Sequence, residues 1–211
     1  MNVKPLLDFI ADHESEGAAR KQGISAYDVV WGGIKKADYP KPSLTAMTIG
    51  QVLDWQDSID ARYQSEAAGR YQIMEDTLRG LYAEAGMTTS DKFDAMGQDR
   101  LARALLRRRG LSKYLSGQIT SEAFANNLAM EWASLPIVSG PKKGRSYYAG
   151  DGLNQSGVDV APFLAVVRSL TDAPLAPAVV VIPAPAPVAK THGFWAAIAA
   201  IIASILGKGS K

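Results

Sequence analysis

Residues 6–14 read LLDFIADHE, and the spacing within them sets the fold class. Leu6, Leu7 and Ile10, with Phe9 beside them, fall on one side of a helical projection. Pro5 stands at the start, where its missing N–H costs nothing and its fixed φ favours the first turn. Gly17 is the expected stop, because glycine commonly follows the last helical residue. Glu14 comes one turn after Ile10, on the apolar side and at the expected C-terminal end of this helix.

Outward from that stretch the helical spacing continues. A helix is expected over residues 49–62, with Thr48 as its cap. Further helices are expected over residues 69–82, entered from a loop, and over residues 93–109, ending at Gly110. Two more are expected over residues 121–134 and 161–170, the second with Pro162 near its start. Val29 to Ile34 reads as a small β element. The expected class is therefore α+β, mostly helical. No internal repeat is visible.

Three parts are expected along the chain: a globular domain over residues 1–172, a linker over 173–192 and a tail over 193–211. The linker carries Pro174, Pro177, Pro183, Pro185 and Pro187, which favour an extended spacer. In the tail Trp195, Ile198, Ile201, Ile202 and Ile205 recur at helical spacing. The apolar run from Phe194 through Leu206 is shorter than the roughly 17–25 residues that span a bilayer. It fits a helix lying in the membrane interface, with packing against the domain as the alternative.

Composition removes several chemistries. The chain has 211 residues and no cysteine, which excludes disulfides, thiolate metal sites and cysteine nucleophiles. A formal net charge of +2 gives no argument for nucleic acid. The arginines in DRLARALLRRRG, residues 99–110, lie opposite Leu101, Leu105 and Leu106 and read first as a solvated helix face. The two histidines, His13 and His192, are too few and too far apart for an ordinary zinc site, and no metal or cofactor is expected. No GxSxG elbow is present, and GPKKGRS, residues 140–146, lacks phosphate-loop spacing. It reads as a flexible basic loop. Residues 1–10 are broken by Asp8 and do not form a signal peptide. Synthesis in the cytoplasm is expected, with access to an outer compartment by other means.

Carboxylate chemistry remains. A general acid must be protonated at working pH, so an apolar surrounding must raise it above the ordinary glutamate range. Glu14 suits this role, and the negative end of its helix would also disfavour the anion. Asp12 and Glu16 point to other faces.

The same residues carry a family resemblance. LLDFIADHE resembles the catalytic helix of lambda-type phage endolysins, which ends in the catalytic Glu. YDVVWGG (27–33), AGRYQ (68–72) and EWASLP (131–136) resemble the blocks that follow it, in family order. The resemblance implies a lysozyme-like fold and cleavage between N-acetylmuramic acid and N-acetylglucosamine. It makes Glu14 the catalytic residue and puts Tyr27, Gly69, Arg70, Tyr71, Gln72 and Tyr147 along the sugar. Arg70 and Tyr71 read equally well as a buried ion pair and a core tyrosine, and Trp132 as core. The chain departs from the family in having Glu66 before AGRYQ, in the added segment 144–157, and in the hydrophobic tail.

Lambda-type enzymes are lytic transglycosylases that use one Glu. The T4-type lysozymes add an Asp nine residues on, where this chain has Gly23. Transglycosylation is therefore expected over hydrolysis, with Asp28 and Glu66 as candidates for a second carboxylate and Asp57 and Asp60 also available. The expected partner is the peptidoglycan glycan strand, met by a monomer acting on the wall. The competing expectations are a wall-binding module that has lost catalysis and a membrane-active effector working through the tail.

Overall fold

The computed structural model describes residues 2–150 and 156–172, all within the compact unit Met1–Pro174. The linker and tail expectations, including residues 194–206, lie outside the described residues. Among the described residues the protein is mostly helical, with no extended strand. The β element expected at Val29 to Ile34 corresponds to an isolated antiparallel bridge between Val30 and Ala68.

Helix α1 (Lys4–Ala11) buries Leu6, Leu7 and Ile10 completely or nearly so. Each such burial contributes roughly 1.5–3 kcal/mol. The chain does not stop at Gly17. A π-helical turn (Asp12–Glu16) follows, and α2 (Gly17–Gln22) continues the rod. Gly17 takes ordinary right-handed helical angles, and the true stop is Gly23, left-handed at φ 66°. Glycine permits a stop without imposing one. Glu14 therefore sits inside a helical rod, and the expected contribution from a helix C-terminus is absent.

Helix α3 (Ile49–Asp60) begins at Thr48 as read from the sequence. The Thr48 hydroxyl accepts from Gln51 N–H at 3.3 Å, and the Gln51 side chain accepts from Thr48 N–H at 2.8 Å. The helix expected over residues 69–82 is shorter, because residues 68–73 fold into a turn closed by Ala68 N–H to Ile73 O at 3.1 Å and Ile73 N–H to Ala68 O at 2.9 Å. Helix α4 (Glu75–Leu81) starts after it. Helix α5 (Ala95–Arg108) is capped by Asp94, and a short α6 (Leu111–Leu115) follows left-handed Gly110.

Helix α7 (Ser121–Ala129) also ends before its expected limit. Residues 130–135 turn instead, with Trp132 N–H donating to Leu128 O at 3.0 Å and Leu135 N–H to Trp132 O at 3.0 Å. That turn carries Ser134 to the π-helical turn. Helix α8 (Val160–Asp172) closes the core: Phe163 stacks on Phe9 of α1 at 5.9 Å, and Tyr114 of α6 donates to Val167 O at 3.2 Å. The arginines expected to be solvated on α5 are partly engaged, since Arg100 donates to Ala85 O and Gly86 O, and Arg108 and Arg109 pair with Glu84 and Glu131.

Candidate active site

A cleft of about 380 Å³ opens beside the π-helical turn. Glu14 lies in its wall with Trp31, Gln64, Ser65, Ala67 and Gln72. Met74, the turn from Glu131 to Ala133, and Tyr148 complete the lining. A π turn inserts an extra residue into a helix and often marks a functional position. Here Ser15, buried, donates to Arg70 O at 2.7 Å and pins the turn to the 68–73 segment.

Glu14 is half-buried and receives one side-chain hydrogen bond, from the Ser134 hydroxyl to Oε1 at 2.6 Å. Burial pushes its carboxyl above the ordinary value of 4.5, opposed by the Ser134 hydroxyl and backbone. With Oε1 occupied as an acceptor, Oε2 is the oxygen left to carry a proton. A carboxyl whose protonated form is favoured by burial beside a cleft is equipped for general acid catalysis.

The sequence-selected residues divide between the cleft and a network behind it. Gln72 lines the cleft at φ 47°, rare for a residue with a side chain, and its amide donates to Gly69 O at 2.8 Å and Val29 O at 3.3 Å. Gly69 is left-handed at φ 77°, and a Cβ there would fall 2.2 Å from Gln98 Oε1. Arg70 turns away from the cleft lining. It pairs with Asp8 at 3.0 Å and Glu16 at 3.4 Å, and lies over the rings of Tyr27 and Tyr71. Tyr27 and Tyr71 both donate to Asp99 Oδ1, at 3.0 and 2.7 Å. Burial foremost, then Asp99, raises both phenols. Burial works against the Arg70 cation, but Asp8 together with Tyr71 and Tyr27 outweighs it and keeps the guanidinium charged.

The candidate second carboxylates sit elsewhere. Asp28 accepts from Thr45 N–H at 2.8 Å and from its hydroxyl at 3.2 Å. Glu66 is buried, with Oε1 accepting from Glu75 N–H at 3.0 Å at the start of α4. Neither lines the cleft. Tyr147 is exposed and stands edge-on to Tyr148, which does line it.

Several participants escaped sequence reasoning. Ser134 lay within a quoted block but had no role. Glu131 adds a second cleft carboxylate, and its Oε2 accepts from Arg109 Nε at 2.7 Å. Gln98, buried, accepts from Arg70 N–H at 2.8 Å and donates to Tyr27 O and Phe93 O at 2.9 Å. Trp132 lines the cleft yet is almost wholly buried, donating to Tyr71 O at 3.1 Å. Among the described residues no cluster of His, Asp or Glu could hold a metal ion, and no helix is long and apolar enough to cross a membrane.

The model of the family described as Endolysin matches residues 4–156. No curated protein and no solved structure matches the chain.

Proposed function

The chain belongs to the endolysin family, so it is a phage enzyme that degrades bacterial peptidoglycan, and we propose that it cuts the glycan strand with Glu14 as acid and base. The bond is the β-1,4 link between N-acetylmuramic acid and N-acetylglucosamine. The observation that supports this reading is the half-buried Glu14, raised by burial and held through one oxygen by Ser134, in the wall of the cleft.

Glu14 Oε2–H protonates the leaving glycosidic oxygen as its bond to the anomeric carbon breaks. The Glu14 carboxylate then takes the proton of the muramic acid 6-hydroxyl, whose oxygen closes on the anomeric carbon. Glu14 begins and ends protonated, no water is consumed, and a 1,6-anhydro end forms. Preference for this route over hydrolysis is supported by the state of Glu131, the other carboxylate in the cleft lining. Arg109 engages its Oε2 at 2.7 Å, so that oxygen is already used as an acceptor within the protein.

Hydrolysis remains the second reading because Glu131 shares the cleft with Glu14. Mass spectrometry of digested peptidoglycan separates the two. Anhydro-muramyl ends that vanish in Glu14→Gln support transglycosylation. Reducing ends that vanish in Glu14→Gln make it a hydrolase with Glu131 as the first partner to test. No cleavage by folded protein would leave a wall-binding module. We assign membrane contact to residues 194–206 as part of the same proposal. Flotation with anionic vesicles, lost on truncation at residue 172, checks it.

A further inference from the structure

We propose that the basic loop at residues 140–145 binds the free carboxylates of the peptide stems borne by the glycan strand. The inference rests on the glycan-cutting reading and adds what lies beside the sugar. The loop has an ordered base. Ile137 N–H donates to Arg145 O and Gly144 N–H to Ile137 O, both at 2.8 Å, and Pro136 bridges Ser146. Asn126 of α7 ties it down by accepting from Val138 N–H at 2.8 Å and donating to Ser139 Oγ at 2.9 Å.

The tip presents Lys142, Lys143 and Arg145, all exposed. None of them pairs with a carboxylate among the described residues. Arg70, Arg108 and Arg109 are all engaged by carboxylates of the protein itself. The loop cations are thus available to a partner.

Their position is continuous with the cleft. Lys142 Nζ donates to Tyr147 O at 2.8 Å and lies 5.4 Å over the Tyr147 ring. Tyr147 stands edge-on to Tyr148 at 5.1 Å, and Tyr148 lines the cleft while donating to Met130 O at 2.8 Å. A neutral sugar has no use for cations. The stem on each muramic acid projects from the strand and ends in carboxylates, which Lys and Arg recognise by charge-assisted hydrogen bonds. The two tyrosines supply an apolar wall between sugar and stem.

The test uses the full chain carrying Glu14→Gln, so that strands are bound and not cut. Affinity is measured for soluble glycan oligomers with their stems and for the same oligomers stripped of stems by an amidase, with the lactyl carboxylates so exposed then converted to amides. We expect stems to tighten binding roughly five- to tenfold at low salt, as for a few exposed ion pairs acting together. That gain should shrink as salt rises and disappear when Lys142→Gln, Lys143→Gln and Arg145→Gln are combined in a variant with an unchanged circular dichroism spectrum. Equal affinity for both oligomers, or a stem gain kept by the triple variant, overturns the inference while leaving the glycan-cutting reading intact. Binding to neither oligomer fails both. A triple variant that loses affinity only for phosphatidylglycerol vesicles overturns it in favour of a lipid surface.

Discussion

Glu14 and its neighbours Asp8 and Glu16 lie on one helical rod, yet they occupy opposite chemical situations. Asp8 and Glu16 turn toward Arg70, whose guanidinium bridges them from the 68–73 turn. Burial works to raise Asp8, but Lys4 and Arg70 outweigh it and hold the carboxyl below its ordinary value. Glu14 meets no cation among the described residues, and burial moves it the other way. One rod thus carries two carboxylates paired with a cation and one whose protonated form is favoured by burial. Surroundings, and not residue type, divide these roles. The π-helical turn helps make the separation, since it sets Ser15 against the Arg70 carbonyl while Glu14 reaches the cleft.

The largest test of that division is Glu14→Gln. Glycan cleavage should fall about a thousandfold or more, the range expected for loss of a general acid and base. Stability should move the opposite way. A carboxyl whose folded-state value is raised favours the folded state most below its unfolded value, and that contribution is lost as pH rises through the folded value. The amide should therefore melt a few degrees above the wild type at neutral pH, with the difference vanishing below about pH 4.5. Thermal melts across pH check it.

On the opposite face, Arg70→Ala should destabilise by roughly 3 kcal/mol, because it strands Asp8, Glu16 and the tyrosine cluster in a partly buried place. Urea unfolding measures this. Rate per folded molecule should fall less than in Glu14→Gln. Asp8 has the opposite linkage to Glu14. Its contribution is present above its ordinary value of 3.8 and is lost as pH falls through its lowered folded value.

Ser134→Ala sharpens the contrast. Ser134 lowers Glu14, so its removal should move the alkaline limb of the pH–rate profile to higher pH and cut the rate roughly tenfold through looser positioning. A profile that shifts to lower pH would contradict the assigned direction. The smallest effect should come from Lys4→Ala, since its pair with Asp8 is largely exposed. No more than about 0.5 kcal/mol should be lost in urea unfolding.

How much of this was legible follows the range of each interaction. The Thr48 capping box was readable because cap and partner lie three residues apart. Gly17 misleads as a stop, because a glycine inside a packed rod looks in sequence like a glycine that ends one. The π turn gave no local signal, since the contact at its centre is between Ser15 and Arg70, 55 residues apart. Helix α7 was read past Ala129 because residues 130–134 keep helical composition while their backbone turns. Glu14 was singled out by its place one turn after Ile10 and by the family blocks. Ser134, 120 residues away, and Gln98, which reaches Tyr27 across 71, are visible only once the chain is folded.

Direct titration of the side-chain carboxyls by carbon NMR would test the central claim most directly, with Glu14 assigned through Glu14→Gln. The account predicts that Glu14 titrates above 4.5 and Asp8 below 3.8, with the Glu14 midpoint matching the alkaline limb of glycan cleavage. A Glu14 carboxyl that titrates at or below 4.5 would contradict it.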